Sequence, residues 1–523
     1  MRARANNKLM PAFIAAWLAF SAASGADTIY SNGTGGGLWS EKTTWRGGSL
    51  PGPQDVAMIS ARDIVTVDMQ FVQCGGLELD PLGVLVFQSG DVDRVLGVSG
   101  PVEDYGTIKI DATTSTGLRE LRLLAKDEKD RRITVQKNAS LLLYGAKGLP
   151  EGKCNVRVST GGTDPDGKRR LGVIQVQRAS LDFQRVANED VRVVVRDTDN
   201  TGYKAHEKMN IIGCNFTGLA TIELYGCDTP MIKETTLRYA DKAVLDASAI
   251  YLSSCAQAQL TRIEVAGAYA RGIYLYGGDS ISVNGATVTG CRNGLSLGQT
   301  WNVMVKQVTI ADCEEGMWMQ ASGVIEETTV TRPKAAGIKV QESSPQFTAC
   351  AVFEPAEKAM TMWIDKVSVW LLNCNIDPAK VQRSDRLPAD GKPWAEAFQF
   401  CTVAVKGNRQ PDTQVSVRTA GLAENAPDPN VRNSPAMLLP NDMTPLPKSP
   451  QSITVRSWVI GPDGKVQPAP SYAVTVWDPP AKKGDKPAVR ASATVTPDAS
   501  WYRPGGAGSA ADAARPTVEV TLQ

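Results

Sequence analysis

Six side chains are spaced so that they could act on one ligand. Tyr251 and Tyr274 lie 23 residues apart, Trp318 follows 44 later and Lys339 a further 21, while Tyr276 and Trp363 stand two positions on from the corresponding place in their own segments. If these segments are stacked strands, the six line one face. Flat rings with polar handles are what a polysaccharide chain stacks against, and a contiguous exposed patch of them asks for a partner. The competing reading is packing between domains.

Cleavage would require more. Glycoside hydrolysis takes two carboxylates about 5 Å or 6.5–9.5 Å apart, and Asp279, Asp312, Glu314, Glu315, Glu326 and Glu327 are the acids available. Lys306 and Glu326 share an outward column in neighbouring repeats, so an ion pair accounts for Glu326 without chemistry. Elimination beside a uronate carboxylate needs a base and a cation, for which Arg262, Arg271, Lys306 and Lys339 are the candidates. No residue is assigned a catalytic role on this basis. His206 is the single histidine and reads as a loop residue, no Cys-x-x-Cys occurs, and neither a metal site nor a cofactor is expected.

What would position these residues is a repeat. Ala249-Ile-Tyr-Leu, Gly272-Ile-Tyr-Leu, Gly294-Leu-Ser-Leu, Gly316-Met-Trp-Met, Gly337-Ile-Lys-Val and Ala359-Met-Thr-Met start 23, 22, 22, 21 and 22 residues apart. Each alternates apolar and variable positions, as a strand with one buried face does. A second strand follows in each block, beginning at Leu260, Val283, Val305, Ile325 and Phe347, and the register runs back through Ile232 and Ile211. About eight coils are expected between Met209 and Asp377. A unit this short cannot bury its apolar face alone and must stack on its neighbours. The expected fold is all-β, a parallel β-helix with coils of about 22 residues.

In repeat length and strand pattern, residues 171–377 resemble the right-handed β-helix group typified by the pectate-lyase-like proteins. That group includes polysaccharide lyases, glycoside hydrolases, esterases, adhesins and phage spikes, so the resemblance implies a fold rather than an activity. Met362-Trp-Ile-Asp-Lys-Val resembles the Trp-Ile-Asp-His segment of pectate lyases, but Lys366 replaces the histidine and the calcium-holding acids are missing. The Gly-His-Gly and paired aspartates of polygalacturonases are also missing.

Arg2, Arg4 and Lys8 precede an apolar run from Met10 to Ala23 that ends at Ser24-Gly25-Ala26, the pattern of a secretory signal over residues 1–26. Its removal would shift the formal charge from +1 to 1 − 3 = −2. With 56 basic and 55 acidic residues the chain is near neutral, which argues against nucleic acid as a partner. No later apolar run reaches the length of a membrane span. The expected location is outside the cytoplasm: extracellular, periplasmic or on the cell surface.

In residues 27–111, Leu38-Trp-Ser, Trp45-Arg-Gly-Gly, Asp55-Val, Val65-Thr-Val-Asp and Gly76-Leu-Glu-Leu follow an order similar to the G8-type segment that fronts extracellular β-helix proteins, with Gln54 and Arg62 where glycine is usual. This resemblance implies a cap wound into the first coils. Residues 112–377 form the helix proper, with polar inserts at Lys126–Arg131 and Thr160–Arg170 that read as surface loops. Residues 378–397 read as a connector. Residues 398–523 carry about six separated alternating strands, expected as an immunoglobulin-like sandwich. Asn138-Ala-Ser and Asn215-Phe-Thr fit the glycosylation pattern.

The ten cysteines divide by register. Cys214, Cys350 and Cys374 fall at an inward position and read as core filler. Cys227 with Cys255, and Cys291 with Cys313, fall at equivalent positions of successive coils, where stacking brings Cα atoms about 4.8 Å apart and a disulfide becomes feasible. The reading as a whole is a secreted protein that binds an extracellular polysaccharide on the outward face, with cleavage left open. The alternative is a non-catalytic structural or adhesive surface protein. The oligomeric state has no sequence signal.

Overall fold

The computed structural model describes residues 26–521 apart from 151–152, 165, 197–208, 364–368, 384–394, 407–413, 424–426, 433–443, 446–450, 462–464, 479–487 and 499–516. The expected secretory signal, His206 and Lys366 therefore lie outside the described residues. The chain divides into two compact units, residues 1–223 and 224–523.

The first unit is built of parallel strands in three rows. One row runs Thr28–Tyr30, Val56–Ile59, Gly76–Leu79, Val102–Asp104, Arg132–Val135, Gly172–Val176 and Val191–Val195, each strand paired with the next. Within residues 27–111 the strands already belong to these rows. Trp39 and Trp45 are buried and meet edge to face, with ring centroids 4.9 Å apart. The Asp63 carboxylate accepts from the Ser31 hydroxyl and from the backbone N–H of Gly33, at 2.7 Å, and Gly35, at 2.9 Å. Burial alone would raise its pKa, but these donors and the nearby Arg46 charge hold it below the usual carboxylate range. The insert Thr160–Arg170 is closed by a Thr163–Arg169 bridge and by Arg170 Nε on Asp164 Oδ1 at 2.7 Å.

The second unit continues the same pattern with greater regularity. Its front row is β1 (Leu245–Ser253), β2 (Tyr269–Tyr276), β3 (Asn293–Gly298), β4 (Glu315–Gln320), β5 (Ala336–Gln341) and β6 (Lys358–Trp363), all parallel. Inward positions stack like on like. Ile250, Ile273, Leu295, Met317, Ile338 and Met360 form one column and Leu252, Leu275, Leu297, Met319, Val340 and Met362 another, all within 1% of full burial. The second row adds Leu260, Val283, Val305, Ile325, Phe347 and Leu371, and the third Val265, Val288, Ile310, Val330 and Val352. The alternation read from the sequence is therefore the alternation of a packed lumen.

The corners between second and third rows share one device. Glu234, Arg262, Gly285, Gln307, Glu327, Ala349 and Asn373 all have φ between 47° and 70°. At each corner that residue's N–H donates to a carbonyl of the following coil, as from Arg262 to Asn284 at 2.8 Å and from Ala349 to Leu372 at 2.9 Å. A single left-handed residue turns the chain sharply. For the six residues other than glycine that conformation costs roughly 1–2 kcal/mol, offset by the hydrogen bond and the core it aligns.

Beyond the coils, β7 (Ala395–Lys406), β8 (Gln414–Thr419), β9 (Gln451–Ile460), β10 (Tyr472–Asp478), β11 (Ala488–Val495) and β12 (Thr517–Thr521) form an immunoglobulin-like sandwich. Val417, Val431, Val455, Tyr472, Val474, Val476 and Val520 fill its core. The segment 378–397, expected as a connector, is shorter than that. Val381–Arg383 pairs with Met360–Met362 as one more rung, and Ala395–Phe398 pairs with Val369–Leu372, so β7 begins as a strand of the helix and ends in the sandwich.

Candidate functional site

Register places the residues picked out from the sequence in three outward columns on β1–β6. The middle column is Tyr251, Tyr274, Ser296, Trp318, Lys339 and Thr361, and the outer one is Ser253, Tyr276, Gly298 and Gln320, followed by Gln341 paired with Trp363. The third, toward the strand starts, is Ser248, Arg271, Asn293, Glu315, Ala336 and Lys358.

The rings in these columns touch. Tyr251 stacks on Tyr274 with centroids 5.0 Å apart and planes 21° from parallel, while Tyr225 meets Tyr251 edge-on at 5.4 Å. Tyr274 and Tyr276 tilt together at 6.0 Å. The ribbon continues across β3 because its outward residues are small. Ser296 is 1% exposed between its neighbours Tyr274 and Trp318, and a Cβ on Gly298 would stand 2.9 Å from the Tyr276 ring and 3.2 Å from that of Trp318. Any larger residue here would push the rings apart. Lys339 Nζ lies 5.6 Å from the centroid of Trp363, which is 53% exposed. Seven successive strands from the one bearing Tyr225 to β6 make a strip roughly 29 Å long at about 4.8 Å per strand.

Polar groups edge the ribbon. Tyr276 Oη donates to Gln299 Oε1 at 3.0 Å, Trp318 Nε1 to Gln341 Oε1 at 3.3 Å, and Gln320 Nε2 to Glu342 Oε2 at 2.9 Å. The Arg271 guanidinium rests 4.6 Å above the Tyr274 ring. Burial in the stack pushes the Tyr274 phenol up, with Arg271 pulling it back. Glu315 accepts from Asn293 Nδ2 at 2.7 Å and from Lys339 Nζ at 3.1 Å.

The acids considered for catalysis are mostly spoken for. Arg332 holds Asp312 through two bonds of 2.8 Å, keeping that carboxyl below its usual range. Lys306 reaches Glu326 at 3.4 Å and Glu327 at 3.7 Å, as the shared column led us to expect. Asp279 accepts from Asn302 at 2.9 Å, and Arg262 pairs with Glu234. Within the three outward columns of β1–β6, Glu315 is the one carboxylate. Among the described residues no cluster of three His, Cys, Asp or Glu side chains is placed to hold a metal, and no helix is long and apolar enough to cross a membrane.

The glutamines, Ser296 and Gly298 were not anticipated. Only the identity of Gln341 and its column were visible beforehand; its bond to Trp318 spans two strands and depends on side-chain reach.

Residues 198–376 match the family model described as right handed beta helix region. That hand is also the one a parallel strand, crossover, parallel strand connection adopts. No curated protein matches the chain. Among solved structures, the enzymatically active domain of bacteriophage CBA120 tailspike protein 2 is similar at 10% identity and a TM-score of 0.26, over 84% of this chain and 66% of that one. The full-length tailspike protein 2 from the Escherichia coli O157:H7 bacteriophage is similar at 10% identity and a TM-score of 0.22, over 84% of this chain and 59% of that one. The chain thus spans about two thirds or less of either.

Proposed function

We propose that the outward face of β1–β6 is a platform on which an extracellular polysaccharide lies, and that the protein acts outside the cytoplasm. The supporting observation is the unbroken aromatic ribbon. Its rings supply stacking surface, and Gln299, Gln341, Gln320 and Arg271 stand at its edge with donors and acceptors suited to hydroxyl groups. The ribbon advances one strand at a time, an interval close to that between successive sugars of an extended chain.

Binding without hydrolysis is favoured by the charge pattern. Two carboxylates must flank a glycosidic bond for hydrolysis, and Glu315 has no carboxylate partner in its own or the neighbouring outward columns. Glu315 is also held by Lys339 and Asn293, so its role is to fix the cation beside Trp363.

The test is retention of the full-length chain on a panel of immobilised neutral and acidic polysaccharides, with reducing ends and unsaturated-uronate absorbance followed in parallel. Retention without new ends or absorbance is expected. Trp363→Ala, and separately the pair Tyr251→Ala with Tyr274→Ala, should weaken retention about three- to tenfold, since a ring contact contributes about 0.5–1.5 kcal/mol. Retention on no member of the panel would overturn the proposal. Release of reducing ends would replace the binding reading with cleavage.

A further inference from the structure

We propose that Cys227 with Cys255, and Cys291 with Cys313, are sites of inter-coil disulfides that clamp the aromatic ribbon at its two edges. In the structure all four are free thiols, each no more than 3% exposed. Their placement is what singles them out. Cys227 and Cys255 follow the ends of two successive front strands, those carrying Tyr225 and Tyr251, and the N–H after Cys255 donates to the Cys227 carbonyl at 3.0 Å. Cys291 and Cys313 stand two residues before β3 and β4, the strands carrying Ser296 and Trp318, and the N–H after Cys313 donates to the Cys291 carbonyl at 3.2 Å. One pair therefore sits at the exit of the front row and the other at its entrance.

The sulfurs are in contact as well as the backbones. Each pair shares a thiol–thiol hydrogen bond. Neighbouring strands lie about 4.8 Å apart, inside the 4.4–6.8 Å Cα range a disulfide accepts. Within each pair one member is the more acidic. Hydrogen bonding from Cys227 lowers Cys255 and hydrogen bonding from Cys291 lowers Cys313, against the opposing effect of burial. The thiolate is the attacking form in disulfide exchange, so each pair contains its own nucleophile. A third stacked pair, Cys350 and Cys374, is left out because burial is the leading influence on Cys350 and pushes it up.

The chemistry balances with a disulfide oxidant such as oxidised glutathione. The Cys255 or Cys313 thiolate attacks it and releases one glutathione thiol. The partner thiol then displaces the second glutathione, leaving one protein S–S bond, two reduced glutathiones and the two protons redistributed. Because the thiols are buried, exchange takes place while the coils are stacking or transiently open. The bonds would fix the spacing of the coils that carry Tyr251 and Trp318.

The full-length chain, refolded from the reduced and denatured state in oxidised and reduced glutathione, would be alkylated, digested unreduced and mapped by mass. Peptides joining 227 to 255 and 291 to 313 are expected, each two hydrogens lighter than the reduced pair. A map that leaves either pair reduced, or joins these cysteines to others, overturns the proposal. A second measurement separates bonding from packing: the wild type should melt higher oxidised than reduced, and Cys227→Ser combined with Cys291→Ser should remove that difference. An unchanged difference in the double variant would overturn it too.

Discussion

Ser296 and Gly298 do as much for the ribbon as the rings themselves, because rings two coils apart meet only if the coil between them stays small. The spacing of Tyr251, Tyr274 and Trp318 was legible in the sequence, since parallel stacking puts equal positions in line. The need for a gap was not, because it depends on how far Tyr276 and Trp318 lean. Asp104 is another residue whose character only the fold reveals. It is fully buried, its Oδ1 accepts from the Gly106 N–H at 2.9 Å, and its Oδ2 has no partner. Burial raises its pKa to about 7 from 3.8, with the Gly106 and Ile108 N–H groups opposing. A carboxyl raised on folding holds a proton that the unfolded chain releases, so its contribution is fully present below about pH 4 and is lost as pH rises toward 7. The local decline should be roughly 1.4 kcal/mol per pH unit within that window. Protection factors of the Gly106 and Ile108 amides should fall between pH 4 and 7 in the wild type and stay level in Asp104→Asn. A wild-type profile as flat as the variant's would mean that the carboxyl is not carrying a proton into the fold.

At the scale of the element, strands and corners were unequally readable. Alternation such as Gly272-Ile-Tyr-Leu announces a strand because its period survives any side chain that is apolar or polar in turn. The corners announce nothing, because Arg262, Gln307, Glu327 and Ala349 carry a left-handed conformation normally signalled by glycine. The end of the helix was misplaced for a related reason: Val381–Arg383 and Ala395–Phe398 pair as rungs without the spacing that marked the earlier coils. Ala349, at φ 51°, offers a direct test. Ala349→Gly relieves steric cost but adds unfolded-state entropy, for a net gain of about 0.5–1 kcal/mol and a melting temperature higher by about 1–3 °C. Ala349→Val should move it the other way. If both variants melt like the wild type, the corner conformation is not costing the fold anything.

For the whole molecule, charge is balanced, with 56 basic and 55 acidic residues, and much of it near the ribbon is neutralised within the protein, as between Lys339 and Glu315. Retention of a glycan by stacking should therefore persist when salt is raised to 1 M, where the Debye length is about 3 Å. A loss of more than about tenfold, equivalent to 1.4 kcal/mol, would transfer the main role to Arg271 and Lys339.

The register between Arg271 and Asn293 spans 293 − 271 = 22 residues, and both ends occupy the same place on the front face. Residues 271–292 are thus a closed tile: its two cut ends fall where one coil hands over to the next, and every column it interrupts resumes in phase. Inserting a second copy should lengthen the platform by one strand and add another Tyr274 and Tyr276 to the ribbon. The molecule is in that sense a ruler whose graduations are set by the gene, and the length of sugar chain it spans becomes a quantity that can be dialled in steps of one coil.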